Sequence, residues 1–80
     1  MGVSQAVIDR INELRNVRGL SVNKLCTLSA APQSTISEFM NGKTKSLGII
    51  NLKILCDGLY VSIAEFFDTD VFRNLEQEIK

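Results

Sequence analysis

The feature that most constrains this chain is the three-residue break Ser29-Ala30-Ala31, which separates two short stretches with apolar residues at helical spacing. Ahead of the break, Ser21 stands where a helix N-cap belongs, and Val22, Leu25, Cys26 and Leu28 recur on one face of a segment over about 21–28. Behind it, Pro32 suits the first turn of a helix over about 33–40, because the N–H it lacks would have no partner there. At about 100° per residue, Ile36, Phe39 and Met40 gather on one side of that helix, and Ser34, Ser37, Glu38 and Asn41 on the other. Asn41-Gly42 then supplies a pair suited to a left-handed turn. The outer face carries only short or hydrogen-bonding side chains, which a helix packed merely to fill a core has no reason to keep.

Two short helices joined so tightly predict a helix-turn-helix, whose second helix enters the major groove of DNA. The rest of the chain continues the helical pattern. Val7, Ile8, Ile11, Leu14 and Arg15 follow helical spacing over about 4–18, with Ser4 as the cap and Gly19 as the stop. A polar loop over 43–48 leads into a fourth helix over about 49–57, with Ile49, Leu52, Leu55 and Cys56 as its inner stripe and Gly58 ending it. Ser62-Ile63-Ala64-Glu65 is a capping-box pattern that opens a short fifth helix bearing Phe66 and Phe67. Asp70 is placed to cap a last amphipathic segment carrying Val71, Phe72, Leu75 and Ile79. No strand alternation, internal repeat or low-complexity stretch interrupts this pattern. The expected fold is all-α, with a helix-turn-helix domain over 1–68 and an acidic, amphipathic C-terminal segment over 69–80.

Eighty residues make one small domain, near the size at which a single core only just suffices. No run of 18 apolar residues occurs, since Asn51, Lys53 and Asp57 interrupt the longest candidate, and a membrane span is not expected. The N-terminus shows no basic region followed by an apolar stretch, so the expected compartment is the cytoplasm. Cys26 and Cys56 fall at apolar helical positions and read as reduced core thiols, with a disulfide or redox switch as the alternative. Net charge is zero, but its distribution is not even. Residues 1–55 hold seven Lys/Arg against three Asp/Glu, a net +4, and residues 56–80 hold two against six, a net −4. A basic front and acidic back would orient the molecule on an anionic surface.

The order and spacing of these short motifs resemble the phage-repressor/Cro-like (Xre-type) helix-turn-helix family over about 7–67. The residues that carry the likeness are Leu14-Arg15, Arg18-Gly19-Leu20-Ser21, Lys24-Leu25, Gln33-Ser34-Thr35-Ile36-Ser37, Asn41-Gly42-Lys43, Leu55-Cys56-Asp57-Gly58-Leu59 and Glu65-Phe66-Phe67. The resemblance implies a compact five-helix, lambda-repressor-like domain that binds operator DNA, usually as a dimer, to regulate transcription. Carried over by position, Gln33, Ser34, Ser37 and Glu38 are the expected base contacts. Gln33 is suited to bond bidentately to adenine N6 and N7, and Glu38 to accept from cytosine N4. Ser21, Asn23 and Lys24 at the start of the second helix, and Asn41, Lys43, Thr44 and Lys45 after the third, are the expected phosphate contacts. Arg15 and Arg18 either add steering or simply solvate the first helix. Two positions depart from the pattern. Val22 stands where many relatives have a glutamine that braces the first recognition residue, and Ala30 stands where the break has glycine.

Leu47, Ile50 and Ile54 lie within about 60° of one another on the side of the fourth helix opposite its inner stripe. A helix apolar on both sides is normally covered on both. Either the C-terminal segment folds back over these residues, or Leu47, Ile50, Ile54, Phe72, Leu75 and Ile79 furnish a homodimer interface. An enzyme is not expected: histidine is absent, no Gly-rich phosphate loop occurs, and two cysteines fall short of a structural zinc site. Neither a metal, a cofactor nor a small-molecule ligand is implied. The rival to an operator-binding repressor is an antitoxin-like or other protein-interaction module of the same fold, acting through its fourth helix.

Overall fold

A computed structural model of the protein describes residues 2–75, and no strand occurs among them. The helices are α1 (Val3–Val17), α2 (Val22–Ser29), α3 (Gln33–Met40), α4 (Ile49–Gly58), α5 (Ile63–Phe67) and α6 (Asp70–Arg73). The fold is thus all-α, with α2 and α3 as the helix-turn-helix pair and α6 as the added C-terminal segment.

Local chemistry ends each helix. Gly19 and Gly42 take positive φ just past α1 and α3, at +67° and +78°. There the next amide reaches back a full turn: Leu20 N–H donates to the Arg15 carbonyl and Lys43 N–H to that of Glu38, both at 2.9 Å. The same closure ends α2 and α4 without glycine. Ala30 sits at φ 54°, ψ 35°, as Ala31 N–H donates to the Cys26 carbonyl at 3.0 Å. Tyr60 takes φ 59°, as Val61 N–H donates to the Cys56 carbonyl at 3.1 Å. An L-residue in this region costs about 1–2 kcal/mol, so the strain expected at Ala30 is present, and Tyr60 adds a second site.

The core takes one to three residues from each of five helices: Val7 and Ile11 from α1, Leu25 and Cys26 from α2, Ile36 and Phe39 from α3, Leu52, Leu55 and Cys56 from α4, and Phe66 from α5, with Leu59 between the last two. Each fully buried aliphatic or aromatic side chain contributes roughly 1.5–3 kcal/mol. α2 packs against α3 and α4, α4 against α5, and α6 against α1. α3 is therefore held from behind by Ile36 and Phe39, leaving its opposite face to solvent.

Several local expectations need correction. Gly2 rather than Ser4 is the N-cap of α1; Ser4 lies inside the helix and its Oγ donates to the Lys45 carbonyl at 2.5 Å. Gly58 is the last helical residue of α4 and not its stop, because the left-handed position falls at Tyr60. Thr69 is the N-cap residue of α6 and Asp70 its first helical residue. Leu28, expected inside, is 54% exposed, and Ile49, expected on the inner stripe, is 63% exposed. Ile49 is the first residue of α4 and lines a groove with Val3 and Val7.

The C-terminal segment does not fold back over α4 within the described residues. Phe72 stacks on Phe67 and Phe66, with ring centroids 4.8 and 6.0 Å apart, and α6 lies along α1. Ile50 stays 70% exposed, while Leu47 and Ile54 are half-buried.

Candidate nucleic-acid interface

α3 presents its polar side as expected: Gln33, Ser34 and Glu38 are exposed and Ser37 is half-buried. Pro32 is its N-cap residue, and the Pro32 carbonyl accepts the first helical bond from Ile36 N–H at 3.0 Å. No side chain caps this end. Gln33 therefore projects from the first turn, at the end of α3 nearest α2.

The contact that organises this end joins two residues ten positions apart. Gln33 Nε2 donates to Asn23 Oδ1 at 2.6 Å, from the first turn of α3 to the first turn of α2. Asn23 appeared in the sequence only as a candidate phosphate contact. The absent glutamine at Val22 was the one signal that a brace for Gln33 had to come from elsewhere, and the structure supplies it one residue later. Ser21, itself exposed, caps α2 by accepting from Lys24 N–H at 3.0 Å, so its hydroxyl can still donate to another acceptor.

On the far side of α3, Asn41, Lys43, Thr44 and Lys45 form an exposed loop. Its path is set at one end by the closure of α3 at Gly42 and at the other by the bond from Ser4 to the Lys45 carbonyl. Candidate phosphate contacts thus lie on both flanks of the α3 polar face.

The arginines of α1 and of its C-cap make contacts within the chain. Arg15 donates to Asn12 Oδ1 at 2.9 Å and to the Leu20 carbonyl at 3.0 Å, tying the α1–α2 connection to its own helix. Arg18 stacks over the Tyr60 ring, 4.8 Å from its centroid. Arg10 donates to the carbonyls of Phe66 and Glu65 at 2.8 and 3.0 Å, closing the C-terminal end of α5 against α1, and pairs with Glu13. These bonds are structural ties that periodicity alone does not reveal.

Of the residues grouped as a dimer interface, Ile50 is openly exposed, Leu47 and Ile54 flank it on α4, and Leu75 is half-buried. Phe72 is engaged with Phe66 and Phe67 inside the chain, and Ile79 lies outside the described residues. A groove of about 220 Å³, lined in part by Val3, Val7, Leu47, Ile49 and Leu52, runs between the start of α1 and the start of α4. Cys26 and Cys56 are both free and buried, and burial raises both thiols above their ordinary pKa, so neither is poised as a thiolate. Glu65, closing the capping box with Ser62, has its carboxyl lowered by the bonds it accepts from Ser62. No helix among the described residues is long and apolar enough to cross a membrane.

No protein-family model matches the chain, and no curated protein matches it in sequence. Its fold is similar to that of prophage Lp1 protein 11, known from a crystal structure. The TM-score is 0.81 at 26% identity, over 94% of this chain and 100% of that one.

Proposed function

We propose that this protein is a sequence-specific DNA-binding regulator of phage or prokaryotic type, a repressor acting in the cytoplasm by inserting α3 into the major groove. The observation that carries this reading is the solvent face of α3. Gln33, Ser34, Ser37 and Glu38 line it, the first of them already braced by Asn23, and exposed lysines stand on both flanks. The likeness to a prophage protein supports the phage-type setting. The role is binding rather than catalysis and calls for no cofactor. One short recognition helix reads only a few base pairs, too few to find a single site in a genome. Two copies spaced ~34 Å apart would read a palindrome across one helical turn.

Site selection from random duplex DNA, followed by binding titrations, tests the reading. Gln33→Ala should cost about 1–3 kcal/mol on the selected site with little change on random DNA. Replacing Lys43 or Lys45 should weaken binding to every sequence and reduce the salt slope by about one. Equal losses on selected and random DNA after Gln33→Ala would rule out base reading by α3. The exposure of Ile49 and Ile50 favours a second reading, a protein-interaction module acting through α4. A wild-type protein that shows no salt-sensitive, site-specific retardation of DNA even at low salt would point there.

A further inference from the structure

We infer that Ser4 is a positioning residue for the grip on DNA: from the first turn of α1 it holds the backbone of the loop after α3 at Lys45, so that this lysine meets a phosphate from a fixed place. The inference rests on that loop holding phosphates as proposed above, and it gives the start of α1 a part in binding through the loop.

The loop between α3 and α4 is anchored firmly at its two ends. At its start Lys43 N–H donates to the Glu38 carbonyl at 2.9 Å, in the closure of α3. At its end Leu47 is half-buried against the core, and its carbonyl accepts from Asn51 Nδ2 at 3.2 Å. Between these anchors Thr44, Lys45 and Ser46 are all exposed. Among the described residues, one hydrogen bond reaches these three: Ser4 Oγ donates to the Lys45 carbonyl at 2.5 Å, from 41 positions away in the sequence. Ser4 and Lys45 together line two clefts between α1 and the loop, one toward Val7 and Leu47 and the other toward Ile8 and Thr44. Packing is open on both sides of the contact, and the bond spans the gap.

Ser4 is a firm post for this purpose. Its helical turn is closed by Ala6 N–H donating to the Gly2 carbonyl at 3.1 Å, and Ala6 and Val7 seat that turn in the core. The bond sets the Lys45 backbone and leaves the ammonium free to turn toward a phosphate. Without it, residues 44–46 would have to be ordered when DNA binds, and that ordering opposes binding. Phosphate contacts position the protein without reading sequence, so the tie should act on all DNA alike. Lys43 stands where α3 closes and does not depend on Ser4. The two lysines should therefore respond differently to its loss.

The experiment titrates the full-length wild type, Ser4→Ala, Ser4→Thr, Lys43→Ala, Lys45→Ala and the two Ser4→Ala/lysine double variants on the selected operator and on random duplex DNA. Ser4→Ala should bind both about two- to tenfold more weakly. In the Lys45→Ala background the same substitution should change nothing, whereas in Lys43→Ala its full effect should remain. Ser4→Thr keeps the hydroxyl and should bind as the wild type does. Ser4 is only half-buried and alanine is the stronger helix former, so the fold should persist, which thermal unfolding checks. In the DNA-free protein, NMR backbone order parameters of residues 44–46 should fall in Ser4→Ala and hold in Ser4→Thr. No loss of affinity in Ser4→Ala, an equal loss in both lysine backgrounds, unchanged order of the loop, or a Ser4→Thr protein as weak as Ser4→Ala would each overturn the inference and leave the DNA-binding reading in place. A wild type that retards no DNA at low salt would defeat that reading, and the inference with it, before any variant is made.

Discussion

Gly58→Ala sets two physical effects against each other, and the structure says which wins. Gly58 is the last helical residue of α4, where alanine would ordinarily be favoured by about 0.8–1 kcal/mol. A Cβ at Gly58, however, would overlap Ser29 Oγ and crowd Ser29 Cβ at 3.1 Å and Leu25 Cδ1 at 3.3 Å. Ser29 ends α2, and its Oγ is buried with no hydrogen-bond partner among the described residues. Forcing an added methyl into a packed contact costs about 1–3 kcal/mol, so Gly58→Ala should be a net loss of about 1 kcal/mol. For a domain of this size that lowers Tm by about 4–8 °C. Ser29→Ala alone should be neutral or stabilising, because it removes a hydroxyl buried without a partner. In that background the overlap is gone and Gly58→Ala should cost nothing, a coupling of about 1–2 kcal/mol between the sites. Thermal and urea unfolding of the four proteins measures this directly. A rise in Tm on Gly58→Ala, or additive effects of the two substitutions, would refute the close approach of α4 to the end of α2.

Ala30→Gly should stabilise the protein by about 1 kcal/mol, since it relieves the left-handed strain at φ 54°; an unchanged unfolding midpoint would mean that the turn relaxes in solution. The capping box at Ser62 and Glu65 should give a pH signature. Because the Glu65 carboxyl is lowered in the folded state, its contribution is complete above the ordinary glutamate range near about pH 4.3 and is lost as pH falls through the lower folded value. Wild-type Tm should thus fall more steeply than that of Glu65→Gln on acidification below that range, and parallel curves would count against the assignment. Ile50→Asp places a charge on a residue that is 70% exposed, so helical content should stay near that of the wild type while tight operator binding is lost with dimerisation. Sedimentation decides: a wild type that is monomeric and binds its operator as a single copy removes the dimer from the proposal.

The helices were legible in the sequence wherever a local rule sets them. Ser21 as a cap, Ser62 with Glu65 as a capping box, and the glycines after α1 and α3 are each readable from a few adjacent residues. The polar face of α3 followed from periodicity alone. Misreadings arose where tertiary packing overrides local preference. Gly58 looks like a helix stop but is kept small by Ser29, and the stop itself falls on Tyr60, a residue no turn rule would choose. Ile49 shares a helical stripe with Leu52 and Cys56, yet at the first position of α4 it is left mostly exposed, at the rim of a groove. Asn23 and Gln33 meet only because the turn at Ala30 sets the angle between α2 and α3, and neither spacing nor periodicity encodes that angle.

The zero net charge is explained by where the charges are used. Within the basic first part of the chain, Arg10 closes α5, Arg15 ties the α1–α2 connection, Arg18 covers Tyr60, and Lys53 pairs with Asp57. Arg73 likewise holds Asp68 and Asp70 beside α6. Among the described residues, the side chains of Lys24, Lys43 and Lys45 enter no ion pair, and these three stand on the two flanks of α3. Under the proposed function, three phosphate contacts per copy would correspond to a salt slope of only about −3 for one copy and about −5 for two. Non-specific attraction would be correspondingly small, and a larger share of the binding free energy would have to come from base contacts. In the proposed groove Glu38 would sharpen this balance, because a carboxylate there is repelled by phosphate unless a cytosine amino group meets it. Under the proposed function, a domain with so few unpaired lysines among its described residues would depend on its base contacts to bind tightly.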